Sequence, residues 1–176
     1  MTATCFVDSN VVIYAFDPRE PHKQKIAALL LGNLWATNSA VISAQVINES
    51  LNKLLRLYRD LESPRATRER LRPYLAWIGP AIDEPLVRAA WALSDRHSVS
   101  HWDALIVAAA QRAGCGVLYS EDMHAGMLFD CGLRVVNPFV DAGNDLPAAD
   151  RYTVQQTRAT YNLDVKAPRG QRKRRG

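Results

Sequence analysis

Four carboxylates stand out by their surroundings: Asp8 in CFVDSN, Glu49 in VINES, Asp103 in SHWDAL and Asp122 in LYSEDM. Carboxylates gathered in one place repel one another and raise each other's pKa unless a cation neutralises them. A hard divalent cation held by oxygen ligands is the economical remedy. Such an ion polarises a phosphodiester oxygen and lowers the pKa of a bound water, which is the chemistry of phosphate-ester hydrolysis. The histidines His22, His97, His101 and His124 form no His-x-His or His-x3-His pair, and Cys5, Cys115 and Cys131 fit no zinc or redox spacing. Magnesium or manganese is therefore expected in preference to zinc.

Each acid also has a purely structural reading. VDSN is a helix-capping or turn sequence, and Asp103 completes Ser-x-x-Asp with Ser100, as in a capping box. Glu49, between Ile47 and Leu51, suits a solvated helix position, and SEDMHAG has the composition of a polar loop. For the set, that reading has to be invoked four times, and it does not account for a shared location.

The elements supply that location. Residues 4–7 (TCFV) read as a buried strand and 10–16 as a helix that stops at Asp17-Pro18. A helix over 22–34 with Ile26, Leu29, Leu30 and Leu34 on one side leads to a second strand, AVIS, at 40–43. Apolar residues then recur at helical spacing over 44–62. Further helices are expected over 66–78, over 85–97 with Pro85 in the first turn, and over 100–114 between Ser100 and Gly114. GVLYS (116–120) and LRVV (133–136) complete the strands. Strands this apolar, separated by helices, predict an α/β fold with a parallel sheet covered on both faces. Ligands bind such sheets at the carboxyl ends of the strands. Asp8 and Asp122 both follow strands, so they emerge at that edge, and the helices carrying Glu49 and Asp103 start from it or can be aimed at it.

At 176 residues, with 48% hydrophobic and 23% charged residues, one domain with a full core is expected. The start of the chain lacks the basic and apolar regions of a secretory peptide, and no run approaches the 18 or so apolar residues of a membrane helix. A cytoplasmic, non-membrane protein with its cysteines as reduced core thiols is the corresponding expectation. Charge is unevenly spread: residues 1–143 hold 14 Lys+Arg against 15 Asp+Glu, whereas 144–176 hold 8 against 3. The second segment reads as a flexible basic tail in which Arg169, Arg172, Lys173, Arg174 and Arg175 can hold nucleic acid. Arg65, Arg68, Arg70 and Arg72 form a second basic surface, and a partner protein could use either one. Leu34, Trp35, Trp77 and Trp91 are candidates for a homodimer face, although each tryptophan also suits the core.

The segments FVDSNVVIYAFD, VINESLNKL, HWDALIVAAAQRAG and GVLYSEDMHAG, closed by LRVVNPF, together resemble the PIN domain, the nuclease fold of VapC-type toxins of toxin–antitoxin pairs. The resemblance runs in order over roughly residues 4–139. It implies a three-layer α/β/α sandwich in residues 1–143 around a central, mainly parallel sheet. It further implies a magnesium or manganese site built by Asp8, Glu49, Asp103 and Asp122, with Asn10 and Ser120 as supporting polar groups and Glu121 facing solvent or acting through water. Asp8 is then the central ligand, and Glu49 positions or deprotonates the attacking water. The substrate implied is RNA, cut to 5′-phosphate and 3′-hydroxyl ends, and the implied partners are an antitoxin and a second copy of the chain. PIN domains also serve in RNA maturation and decay without a toxin role.

Two other classes compete. A haloacid dehalogenase-like phosphatase wants a second Asp two residues after the first, where this chain has Asn10, and a Lys that residues 89–120 do not contain. A non-cutting nucleic-acid-binding or antitoxin-interaction module would be expected to have lost an acid, and all four are present.

Overall fold

Short, mostly apolar runs of two or three residues form the strands, and the computed structural model describes residues 4–140 around them. Strands β1 (Cys5–Val7), β2 (Ala40–Val41), β3 (Val117–Tyr119) and β4 (Arg134–Val136) form one sheet in the order β2-β1-β3-β4. Every pairing is parallel, with Cys5, Phe6 and Val7 opposite Val117, Leu118 and Tyr119. All three residues of β1 and of β3 are buried, so the centre of the sheet is covered on both faces. That is the α/β sandwich expected of strands with no polar alternation.

Helices α1 (Ser9–Tyr14), α2 (Pro21–Ala36) and α3 (Ala44–Leu57) pack as one group, with α4 (Pro64–Leu71) against α3. Helices α5 (Glu84–His97) and α6 (His101–Arg112) form a second, tightly packed pair. One continuous core results, with Phe6, Leu30, Ile42, Leu54, Leu86 and Leu118 among its fully buried side chains.

Two helices differ from the spacing-based expectation, and each difference has a local cause. The helix expected over 44–62 ends at Leu57, because Tyr58 turns out of it and donates its hydroxyl proton to the carbonyl of Phe16. Ser63 then caps α4 by accepting from Ala66 N–H, and Pro64 occupies the first turn. The helix expected over 66–78 stops at Leu71 and continues as a 3₁₀ turn, Arg72–Trp77, because Pro73 has no N–H to donate. Ile42 donates to the Trp77 carbonyl and accepts from Gly79 N–H, so this segment covers the open edge beside β2.

The cysteines separate. Cys5 and Cys115 are buried, and burial pushes the Cys115 thiol up to about 11. Cys131 departs from the core expectation: it is exposed, with φ +64°, in the tight turn Asp130–Gly132. Trp77 and Leu34 belong to the core, whereas Trp35, Trp91 and Trp102 are exposed. The basic residues Arg169, Arg172, Lys173, Arg174 and Arg175, and the boundary expected after residue 143, lie outside the described residues.

Candidate active site

The connection from β1 leads to β2 on one side, while β3 lies on the other side of β1, so the β1/β3 carboxyl edge is the switch point of this sheet. Asp8 and Ser120 are the first residues beyond those two strands. Helix α6 precedes β3 in a parallel sheet and returns antiparallel to it, which brings its first turn and Asp103 to the same edge. Helix α3 leaves that edge from β2 and carries Glu49 in its second turn.

Asp8 is both cap and buried acid. Its Oδ1 accepts from Ser9 N–H at 2.6 Å, opening α1, while its Oδ2 accepts from the Ser120 hydroxyl at 2.7 Å and from Asn10 Nδ2 at 3.0 Å. Asn10 Nδ2 also reaches Ser120 Oγ and Asp122 Oδ2, each at 3.2 Å. Two N–H groups facing three acceptors must be shared, so the link to Asp122 is a weak one. The Asn10 carbonyl accepts from Glu121 N–H at 3.2 Å, which fixes the loop carrying Asp122 to α1. Burial, helped by the charges of Glu49 and Asp122, pushes the Asp8 carboxyl up to about 6, against the lowering by its Ser120 and Ser9 hydrogen bonds.

Glu49 is half-buried and its Oε1 accepts from Gln45 Nε2 at 2.8 Å. Gln45 Oε1 is buried without a hydrogen-bond partner, an orphan costing about 1–3 kcal/mol unless a donor or a cation reaches it. Asp103 N–H donates to Ser100 Oγ at 3.1 Å, and the Ser100 hydroxyl donates back to Asp103 Oδ2 at 2.7 Å. The cap expected at Ser100 is therefore present, and it steadies the Asp103 carboxylate.

The arrangement is a cluster with a flank. Asp8, Asn10, Ser120 and Asp122 share one hydrogen-bond network, and Glu49 stands within electrostatic reach of Asp8. No hydrogen bond among the described residues joins Asp103 to that network. Asp103 and Asp122 instead line one open cleft of about 600 Å³, together with His97, Ser100, Met123 and His124. Glu121 Oε1 is bound by Lys23 Nζ at 2.6 Å, and Lys23 also donates to the Tyr14 hydroxyl at 3.1 Å. Of the Arg65, Arg68, Arg70 and Arg72 surface, Arg70 is paired with Glu62 and Arg72 with Glu69.

Among the described residues no three His, Cys, Asp or Glu side chains close on one point as a ready metal cage. The donor chemistry nevertheless fits a hard divalent ion. Among the described residues, Asp122, Glu49 and Asp103 each keep a carboxylate oxygen free of hydrogen bonds, and the orphaned Gln45 oxygen lies beside Glu49.

Sequence reasoning missed Gln45, Lys23, His97 and Trp102. Gln45 is one turn before Glu49, a spacing that pairs side chains on a helix, and that signal was available. Trp102 directly precedes Asp103 and was legible from that position, whereas Lys23 and His97 reach the site by tertiary packing.

No helix among the described residues is long and apolar enough to cross a membrane. No curated protein matches the chain. Among solved structures, VapC20 of Mycobacterium tuberculosis, described as a sarcin-ricin loop cleaving toxin, is similar at 22% identity and a TM-score of 0.48, over 68% of this chain and 90% of that one. The PIN domain profile matches residues 5–125, well over half of the sequence, and the chain belongs to the PIN domain family.

Proposed function

We propose that the chain is a magnesium- or manganese-dependent endoribonuclease and the toxin of a toxin–antitoxin pair, with Asp8, Glu49, Asp103 and Asp122 as its catalytic acids. The observation that carries the reading is the Asn10 bridge between Asp8 and Asp122 at the carboxyl edge of β1 and β3, with Glu49 facing Asp8. Acids held this close by a neutral donor are costly for the fold itself, and a site that takes a cation accounts for them. The toxin assignment and the neutralising antitoxin rest on the sequence resemblance, as does a homodimer.

A divalent ion, when bound, supplies positive charge at the scissile phosphate and a more acidic water. Asp8 would hold it from the floor of the site, because Ser9, Asn10 and Ser120 fix both carboxylate oxygens. Asp122 and Asp103 would hold it or its waters from the two walls of the cleft. Glu49, oriented by Gln45 through one oxygen, keeps the other to accept a proton from the attacking water. The water oxygen forms the new bond to phosphorus as the bond to the 3′ oxygen breaks. One fragment then carries a 5′-phosphate and the other a 3′-hydroxyl.

The test compares the purified chain with its Asp8→Asn variant on a structured RNA in magnesium, manganese or EDTA, with the fragment ends mapped. Metal-dependent cleavage leaving 5′-phosphates and falling at least about 100-fold in the variant is expected. Fragments with 2′,3′-cyclic phosphates, or equal cleavage in EDTA, would overturn the reading.

A further inference from the structure

Helix α2 is apolar on two sides. Ile26, Ala27, Leu30, Leu31 and Leu34 are buried, while Ala28, Gly32, Trp35 and Ala36 are apolar and exposed. A helix apolar all round is ordinarily covered on both sides. Ala28, Gly32 and Trp35 line an apolar groove of about 260 Å³ together with Phe16 and Tyr74. Its aromatic residues are held from below: Phe16 and Tyr74 meet edge to face at 6.1 Å, and Trp35 leans on buried Trp77 at 5.4 Å. Trp35 is nonetheless 49% exposed. At Gly32 no described atom outside the helix stands within 4 Å of the place where a side chain would begin.

The described chain ends close to this groove. Phe139 packs edge to face on Tyr14 at 5.1 Å, with Lys23 Nζ 5.8 Å from its centroid, and Val140 beyond it is exposed. Tyr14 directly precedes Ala15 and Phe16, and along α2 the groove residues Ala28 and Trp35 stand about 8 and 18 Å from Lys23. The sequence that follows has two parts. Residues 166–176 hold six Lys+Arg, no acid and no large apolar side chain, whereas 141–165 hold Leu146, Tyr152, Val154, Tyr161, Leu163 and Val165 with four Asp against two Arg. A segment so apolar and so near neutrality has surface to bury. Charge points to the same helix. Residues 141–150 carry three Asp and no Lys or Arg, while α2 opens with His22, Lys23 and Lys25 and contains no acid. Cations in the first turns oppose the helix dipole, and carboxylates beside them offset that.

We propose that residues 141–165 dock on their own fold along α2, with their aspartates beside its basic start and apolar side chains from Tyr152 onward in the groove of Phe16, Gly32 and Trp35. Tyr152 lies twelve residues beyond Val140. That length spans about 18 Å as a helix and about 40 Å when extended, so Trp35 is in reach either way. Tethering favours this occupant over a separate chain, because a short linker holds the segment at an effective concentration of about a millimolar. The basic run 166–176 then leaves from the α2 side of the body. The proposal is independent of the ribonuclease reading, since it concerns a face that carries none of the four acids.

The experiment places the photoreactive residue p-benzoylphenylalanine at position 35 of the full chain in place of Trp35, and maps the cross-linked peptides after irradiation. A link within one chain, from position 35 to a peptide of residues 141–165, is expected. The same residue in place of Trp91, an exposed ring on α5, should give no link to that segment. Adding Gly32→Arg should remove the position-35 link by filling the groove, with the melting temperature kept, because Arg is the better helix former and Gly32 has open space. Changing Tyr152, Val154, Tyr161, Leu163 and Val165 to Ser should remove it from the other side. In the wild-type chain, NMR order parameters should approach about 0.85 within 141–165 and stay below about 0.6 over 169–176. Values below about 0.6 throughout 141–176 overturn the proposal. So does a position-35 link that joins two chains, which would mark a face between copies, and so does a link that survives Gly32→Arg.

Discussion

Asp8 carries a charge that its surroundings oppose, and this opposition has a measurable sign. In the folded chain the carboxyl keeps its proton up to about pH 6, against an ordinary value of 3.8. Between those two values the folded state binds more protons than the unfolded one, so stability falls as pH rises. The contribution is whole below about pH 4 and is lost by pH 7, an effect of up to about 3 kcal/mol. Denaturant titrations in EDTA should show this drop in the wild-type chain and a flatter profile in Asp8→Asn. A wild-type profile as flat as that of the variant would mean that burial does not oppose the Asp8 charge. Asn10→Asp tests the same balance from the other side. It replaces the neutral donor between Asp8 and Asp122 by a third carboxylate, and should cost about 2 kcal/mol or more in EDTA. Manganese should then raise its melting temperature more than it raises that of wild type, because more unpaired charge awaits the ion. Equal shifts in the two proteins would place the cation elsewhere.

Between elements, the loop after β3 is held by groups from two helices: Asn10 of α1 accepts from Glu121 N–H, and Lys23 of α2 binds the Glu121 carboxylate. The Lys23 ammonium also lies over the Tyr14 ring, 4.5 Å from its centroid. Lys23→Met removes the ion pair while keeping an apolar stem over that ring. The pair is partly buried, so a stability loss of about 1 kcal/mol is expected. Hydrogen exchange at the Glu121 amide should quicken, and kcat should fall several-fold with KM little changed, because the loop positions Asp122 without touching distant parts of the RNA. A rise in KM alone would instead make Lys23 a substrate contact. The parts of this arrangement that the sequence discloses are the periodic ones. CFV and VLY are too apolar for an exposed face, and that sufficed to put Asp8 and Asp122 at one edge of a parallel sheet. The Ser-x-x-Asp signal placed the start of α6 correctly. Helix ends were harder to see, because Tyr58 leaves α3 for a carbonyl 42 residues away and Pro73 converts the continuation of α4 into a 3₁₀ turn. The Asn10 bridge to Asp122 and the Lys23 clamp on Glu121 depend on residues brought together from distant segments, and no local pattern encodes them.

At the scale of the whole chain, the fold gathers acids at one edge, while Arg70, Arg72, Arg88, Arg96 and Arg112 are taken up by ion pairs away from it. The first 143 residues are nearly neutral in sum, yet those outside residues 53–72 hold seven Lys+Arg against twelve Asp+Glu. A polyanion approaching such an edge meets repulsion unless cations elsewhere draw it in. The last 33 residues, with 8 Lys+Arg against 3 Asp+Glu, are the largest reserve of such charge. If they hold RNA, the interaction is a set of phosphate contacts that release counterions, with no base preference of its own. Changing Arg172, Lys173, Arg174 and Arg175 to Gln in the full chain should therefore weaken all RNAs alike and reduce the salt slope by up to about 3. The melting temperature should not move, since four adjacent cationic side chains have a composition that favours hydration over burial. A loss of affinity that differs from one RNA sequence to another would mean that the tail reads bases, and an unchanged salt slope would leave the phosphate contacts to the folded body.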